Sequence, residues 1–431
     1  MPPQFFTAFW VLGAVLSMVA LWFIYLTLAV NSQANLEDLV NAAPPIGDDP
    51  STFLRSLHGS AGQMPTTGNH VDILVNGDEI FPAMAEAIRT SRETVHFATY
   101  VWWDGKQIPG EFATLFCETA QRGVLVRIVI DSEGSESMSK ELLDKMCDAG
   151  CKVEFFRRLH WNNWMRYNQR SHRRLLIIDG QVAFTGGVGI ADEWAGNAGG
   201  PKHWRDTHAR VRGPAVASLQ AAFADNWNHA SSQLLLNARD YPALTNEGSM
   251  EATVVVSTPT SGSSAAQRTM ASLIAGATKT LHITNAYFVP TPAFVENLCD
   301  ACSRGVDVRV IVPGPHHDMP VVRYASWHSW PKLLEAGVKI FEYQPTMIHC
   351  KTAVVDGVVS LIGSINFDPR SFALNLECGV VVADKGAAAR MEAAFATDLA
   401  SSIPIDIDAV RSRGVARKMR DAVCYWVRAQ L

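Results

Sequence analysis

Residues 348–367 read IHCKTAVVDGVVSLIGSINF, and residues 171–190 read SHRRLLIIDGQVAFTGGVGI. Each is an apolar run, an Asp-Gly pair and a second apolar run. That is the pattern of a β-hairpin, since Asp-Gly supplies the two positive φ angles of a tight turn. With Asp356-Gly357 as a two-residue turn, His349 faces Ser364 and Lys351 faces Ile362. With Asp179-Gly180 at the other turn, His172 faces Gly187. Residues two apart on a strand share a face. One face of the second hairpin therefore presents the His349 imidazole, the Lys351 ammonium, the Ser364 hydroxyl and the Asn366 amide, with Gly363 permitting close approach. The first hairpin repeats the set with His172, Arg174, Gly186 and Gly187. Such a set suits a phosphate. The cations hold its charge, the hydroxyl and amide donate hydrogen bonds, and an imidazole can attack phosphorus.

Outward from the hairpins the chain keeps repeating itself. TVHFATYVWW (94–103) parallels TLHITNAYFV (280–289), QRGVLVRIVID (121–131) parallels SRGVDVRVIVP (303–313), and LLDKMCDAGCKVEFF (142–156) parallels LLEAGVKIFEY (333–343). The blocks recur in one order, 182 residues apart at Gly123 and Gly305 and 177 apart at His172 and His349. This is a duplication, with a period far too long for a solenoid. Within each copy strands alternate with helical stretches, which predicts an α/β fold. The expected product is two similar domains, residues 70–245 and 246–403, each with a mixed sheet flanked by helices.

The duplication bears on chemistry. A lone histidine near a strand end is usually structural. Two at matched places, each with a cation two residues on, can divide a phosphoryl transfer between them. One attacks phosphorus, while the other protonates the leaving oxygen and then deprotonates the incoming nucleophile. No metal or cofactor is required if Arg174 and Lys351 neutralise the phosphate. Asp179 and Asp356 lie seven residues from their histidines, roughly 23 Å along an extended strand. They read as turn residues.

Composition narrows the class. Among 431 residues, 48% are hydrophobic and 18% charged, so the chain is not disordered. Its 37 basic against 42 acidic residues leave a net charge of −5, which argues against a protein held on nucleic acid by bulk positive charge. Of the eight cysteines only Cys299 and Cys302 form a CxxC, without a second pair to complete a zinc site.

From Phe5 to Val30 there is no charged residue, enough to cross a hydrocarbon core of ~30 Å. Residues 5–30 read as an uncleaved single-pass anchor and 31–69 as a linker with at most a short helix. No Lys or Arg precedes Arg55, so the side of the membrane stays open. Two aromatic and basic stretches, 157–174 and 316–332, read as a rim for lipid entry. Residues 404–431 read as a basic amphipathic tail, either on an anionic bilayer or packed on the second domain.

The stretch HCKTAVVDGVVSLIGSIN fits the HxKxxxxDxxxxxxGxxN motif of the phospholipase D superfamily at His349, Lys351, Asp356, Gly363 and Asn366. The first copy fits at His172, Asp179 and Gly186, and departs at Arg174 and Gly189. With HWRDTHARVRGPAVASLQAAFADNW (203–227) and INFDPRSFALNLECGVVV (365–382), the chain resembles bacterial cardiolipin synthases from about residue 70 to 400. The resemblance implies a phosphatidyltransferase of the bacterial inner membrane, with phospholipid, above all phosphatidylglycerol, as its partner and no nucleic acid. It implies a phosphatidyl-histidine intermediate, with His172 as nucleophile and His349 as general acid and base. It also implies an orienting carboxylate downstream of each histidine, Asp206 in the first copy and Glu377 in the second. Hydrolysis by water, a nuclease activity and a degenerate lipid-binding role are the alternatives within the superfamily.

Overall fold

The computed structural model describes residues 43–430 apart from 48, 159–167 and 260–262, together with Ser17, Leu21, Trp22, Ile24 and Tyr25. The anchor expected over 5–30 otherwise lies outside the described residues. Among the described residues no helix is long and apolar enough to cross a membrane.

The first half supplies β1 (Thr66–Val75), β2 (Thr94–Thr99), β3 (Leu125–Asp131), β4 (Lys152–Phe156), β5 (Leu175–Ile178), β6 (Val182–Gly186) and β7 (Thr207–Arg212). The second supplies β8 (Met250–Ser257), β9 (Thr280–Asn285), β10 (Asp307–Pro313), β11 (Lys339–Tyr343), β12 (Lys351–Val355), β13 (Val359–Gly363) and β14 (Glu377–Ala383), followed by a short β15 (Ser402–Pro404). From β1 outwards the order is β7, β6, β5, β2, β3, β4; from β8 outwards it is β14, β13, β12, β9, β10, β11. The duplication is thus a matter of topology as well as sequence. In each half the outer strands, β2–β3–β4 and β9–β10–β11, are parallel, because helices connect them.

Two separate sheets were the expectation. The described residues form one 15-stranded sheet, because β1 and β8 pair antiparallel at the middle. An unpaired strand edge is a liability, and here each half covers the other's.

The 31–69 stretch holds more than a short connection. The helix Ser51–Ala61 buries Phe53, Leu54 and Leu57 completely against Met270, Leu273 and Ile274 of the second half. Gly276 makes room, since a Cβ there would lie 2.8 Å from the Phe53 ring. A segment that precedes the first half therefore belongs to the core of the second.

The hairpins form at the two Asp-Gly turns, but one residue out of the register expected. Ile362 pairs with Thr352 rather than Lys351, and Thr185 pairs with Leu175 rather than Arg174. Asp179 and Asp356 adopt φ of +52° and +54°, and Gly180 and Gly357 also have positive φ. Each turn closes by a hydrogen bond, Val358 to Val355 and Gln181 to Ile178, before the ladder resumes one residue later. The extra residue is a bulge beside the turn, which shifts every pair along the hairpin.

Candidate active site

The histidines lie just before the regular strands, and the opposite half fixes their backbones. His172 donates its amide to the Leu376 carbonyl at 2.9 Å, and His349 donates to the Arg205 carbonyl at 2.7 Å. Ser171 and Leu376 form an isolated bridge between the halves, and Arg205 and Ile348 form another. Both histidines face a cavity of about 500 Å³ along the seam, together with Arg174, Trp194, Trp204 and Asn366.

The orienting carboxylates reach across. Expectation set Asp206 with the first histidine and Glu377 with the second; the pairing is crossed. His172 Nδ1 meets Glu377 Oε2 at 3.1 Å, and His349 Nδ1 meets Asp206 Oδ2 at 2.9 Å. The cause is the seam, which places β7 beside the second histidine and β14 beside the first. A carboxylate on Nδ1 keeps the proton there and leaves Nε2 free to react. The cations stand on that side. Arg174 Nη1 is 3.1 Å from His172 Nε2, and Lys351 Nζ is 2.8 Å from His349 Nε2. Arg174 thus occupies in the first half the place that Lys351 occupies in the second.

Ser364 and Gly187 were read as substrate contacts. Ser364 is fully buried, and its hydroxyl donates to Glu377, as does that of Ser371 at 2.8 Å. Its donor is engaged, so it positions the carboxylate and does not face a phosphate. Gly187 is a matter of space, since a Cβ there would lie 2.1 Å from Asp206 Oδ1. Asp206 receives instead the Trp194 indole N–H and the Thr207 amide, both at 2.8 Å. Trp194 and Ser371 stand 177 residues apart, the hairpin repeat distance, and each donates to its half's carboxylate. That shared offset was the signal by which both could have been found. The place of the missing amide at Gly189 is closed, since a Cβ would meet Val101 at 2.6 Å. Asn366 lines the cavity, and its Oδ1 is buried without a hydrogen-bond partner.

Asp179 and Asp356 stay at the turns. Asp179 accepts the amides of Arg92, Glu93 and Thr94 at 2.8–2.9 Å, and Asp356 those of Thr278, Lys279 and Thr280 at 2.7–3.0 Å. Gly186 and Gly363 permit close packing: a Cβ would lie 2.3 Å from His208 and 2.4 Å from the Cys378 carbonyl, respectively.

Burial dominates the electrostatics. It pushes His172 down to about 4, against the pull of Glu377, with the Arg174 charge adding to the fall. It holds His349 well below the imidazole range, and the Lys351 and Arg174 charges push further. Burial also lowers Lys351 to about 7, although Asp206 opposes it, and raises Asp206. Burial therefore favours the neutral form of both rings.

Among the described residues the two histidines have different aromatic neighbours. Trp194 and Trp204 lie 5.2 and 5.5 Å from the His349 ring, and Trp103 packs 5.8 Å from each of them. Tyr100 packs edge-on against His172, at 5.1 Å. The rim expected over 316–332 is mostly a packed helix, Pro320–Glu335, in which Trp330 is buried and Trp327 lies under Arg413. Only Asp318 and Met319, just before it, reach the cavity. In the other rim stretch, 159–167 lie outside the described residues.

The chain matches the family model described as cardiolipin synthase, PLD-like domain, over residues 84–195 and 270–399. It is 31% identical over 400 residues to a cardiolipin synthase of Halalkalibacterium halodurans, covering 91% of this chain and 78% of that one. It is 33% identical over 367 residues to the cardiolipin synthase of Listeria monocytogenes, covering 84% and 75%. Its fold is similar to that of phosphatidylserine synthase from Haemophilus influenzae, with a TM-score of 0.63 at 11% identity over 88% of this chain and all of that one. With a model that spans more than half its length and relatives alike over most of theirs, the chain belongs to the cardiolipin synthase family of PLD-like proteins.

Proposed function

We propose that the protein is a phosphatidyltransferase that condenses two phosphatidylglycerol molecules into cardiolipin and glycerol. The observation that carries this is the pair of crossed histidine–carboxylate contacts opening on one cavity, each with a cation at Nε2. The relatives named cardiolipin synthase supply the substrate class.

The phosphodiester sits between Arg174 and Lys351. Its negative charge opposes their repulsion of His349, whose Nε2 then carries a proton. His172 Nε2 attacks phosphorus, the bond to the glycerol headgroup breaks, and His349 gives its proton to the departing oxygen. The phosphatidyl group is now on His172. His349, neutral again, takes the hydroxyl proton of a second phosphatidylglycerol, whose oxygen displaces His172 from phosphorus. One phosphodiester is exchanged for another, so no nucleotide is consumed. General acid–base help of this kind is worth about 10²–10⁴-fold. Because the substrate is a bilayer lipid, the enzyme works at a membrane, and residues 5–30 are its anchor.

The test is purified full-length protein in phosphatidylglycerol vesicles, with products followed by mass spectrometry. Cardiolipin and glycerol should form and vanish in His172→Ala and His349→Ala. Phosphatidic acid as sole product would make the protein a hydrolase. Undiminished cardiolipin formation in either variant would overturn the two-histidine mechanism.

A further inference from the structure

The carboxy-terminal helix Val415–Trp426 has two unlike faces. The inner face packs on the helix Pro320–Glu335. Tyr425 stacks on His328 at 4.4 Å and donates its hydroxyl to the Pro290 carbonyl at 3.0 Å. Asp421 is buried between Arg413 at 2.8 Å and Arg420 at 2.9 Å, and Arg420 covers the Tyr324 ring. The outer face is apolar yet open. Val415, Met419, Val423 and Trp426 recur at intervals of four, four and three residues, and are 75%, 65%, 63% and 44% exposed. A fixed helix that turns such a ridge outward needs an apolar partner.

Charge narrows the choice of partner. Residues 411–428 hold Arg411, Arg413, Arg417, Lys418, Arg420 and Arg428 against the single acid Asp421, in a chain whose net charge is −5. Lys418 and Arg420, one residue either side of Met419, are exposed at the two flanks of the ridge. An apolar ridge with cations along it fits an anionic lipid surface, where the side chains sink to the acyl boundary and the cations meet headgroups.

The position of the helix gives this contact a purpose. Its last turn, Arg428–Gln430, folds back onto the active site. Gln430 lines the catalytic cavity with His172 and His349, and its Oε1 accepts the Asn168 amide at 2.9 Å. Asn168 in turn accepts from Arg370, which also lines the cavity. The ridge and the cavity are thus joined by one short turn.

We infer that Val415–Trp426 is a docking surface for an anionic bilayer, holding the mouth of the catalytic cavity against the lipid. The choice of a bilayer as occupant rests on the reading of the substrate as phosphatidylglycerol. The test uses the full chain with Met419→p-benzoylphenylalanine, reconstituted in vesicles of phosphatidylcholine with or without phosphatidylglycerol and irradiated. A lipid adduct at 419 is expected, several-fold stronger with phosphatidylglycerol and several-fold weaker in a Lys418→Glu background. Adducts only to a second copy of the chain, or a lipid adduct indifferent to phosphatidylglycerol, would overturn the proposal. Cardiolipin formation is measured beside it in detergent-dispersed lipid. Activity there without a lipid adduct sinks the docking surface and leaves the enzyme. An adduct without activity supports the docking surface and removes the proposed reaction.

Discussion

At the scale of residues, charge placement dictates how the rate should respond to pH. In the proposed reaction His349 holds a proton to release glycerol, so the alkaline limb of the rate profile should follow its pKa. After burial, the Lys351 charge is the largest cause lowering that pKa. Lys351→Met removes the repulsion, so the alkaline limb should move to higher pH while the maximal rate falls. In the same proposed reaction His172 attacks free of its proton, so the acidic limb should follow that histidine. Glu377 raises the His172 pKa by its charge and hydrogen bond. Glu377→Gln should therefore move the acidic limb to lower pH, although the residue belongs to the other half of the chain. Both limbs are read from initial rates in mixed micelles; an unmoved acidic limb in Glu377→Gln would falsify the crossed pairing as a working contact. Trp204 makes a second case. Partly exposed beside His349, it forms an apolar wall where the proposed reaction activates the second alcohol. An apolar wall favours a lipid hydroxyl over water. Trp204→Ala should raise phosphatidic acid relative to cardiolipin about tenfold, a change of ~1.4 kcal/mol in the partition. Product ratios by mass spectrometry check it, and an unchanged ratio would remove the wall from the account.

At the scale of elements, the Asp-Gly turns tie each hairpin to its neighbour. Asp356 gathers three amides and the Thr278 hydroxyl at the start of β9, far from the cavity. In Asp356→Ala these partly exposed donors turn to water, so the loss should be about 1–2 kcal/mol of stability. Denaturant unfolding measures it, and the specific activity of the folded fraction should stay near that of the parent. A collapse of that activity would mean that the turn shapes the site. The same hairpins show what linear sequence carries. The histidines and their cations were legible because they sit two residues apart on one chain. The register was not, because a single residue beside the turn decides it. The partners of Glu377 were half legible: the carboxylate follows from the family resemblance, but Ser364 looked free until its neighbour across the ladder was known. At most a short helix was expected in 31–69, and the packing of Ser51–Ala61 was hidden for a related reason. Its apolar residues complete a core more than 200 residues away, and local pattern says nothing of so distant a partner.

At the scale of the whole molecule, the duplication explains why one chain carries both halves. Each histidine takes its backbone acceptor and its carboxylate from the opposite half, so neither half contains a finished reacting group. The halves are held by β1 on β8, by the helix Ser51–Ala61 in the second core, and by Arg173, which donates to the Ser257 carbonyl at 3.1 Å and the Thr258 hydroxyl at 2.9 Å. Such contacts are extensive enough to reassemble without a peptide link. A chain divided between Leu244 and Gly248, where the connection runs over the surface, should therefore recover activity when the two fragments are co-expressed. Each fragment alone should be inactive, since it presents a histidine without its carboxylate. Co-purification shows association, and cardiolipin formation shows function. Activity from either fragment by itself would mean that one half can complete a site on its own. The crossed contacts would then be an accident of packing and not the reason the two copies stay joined.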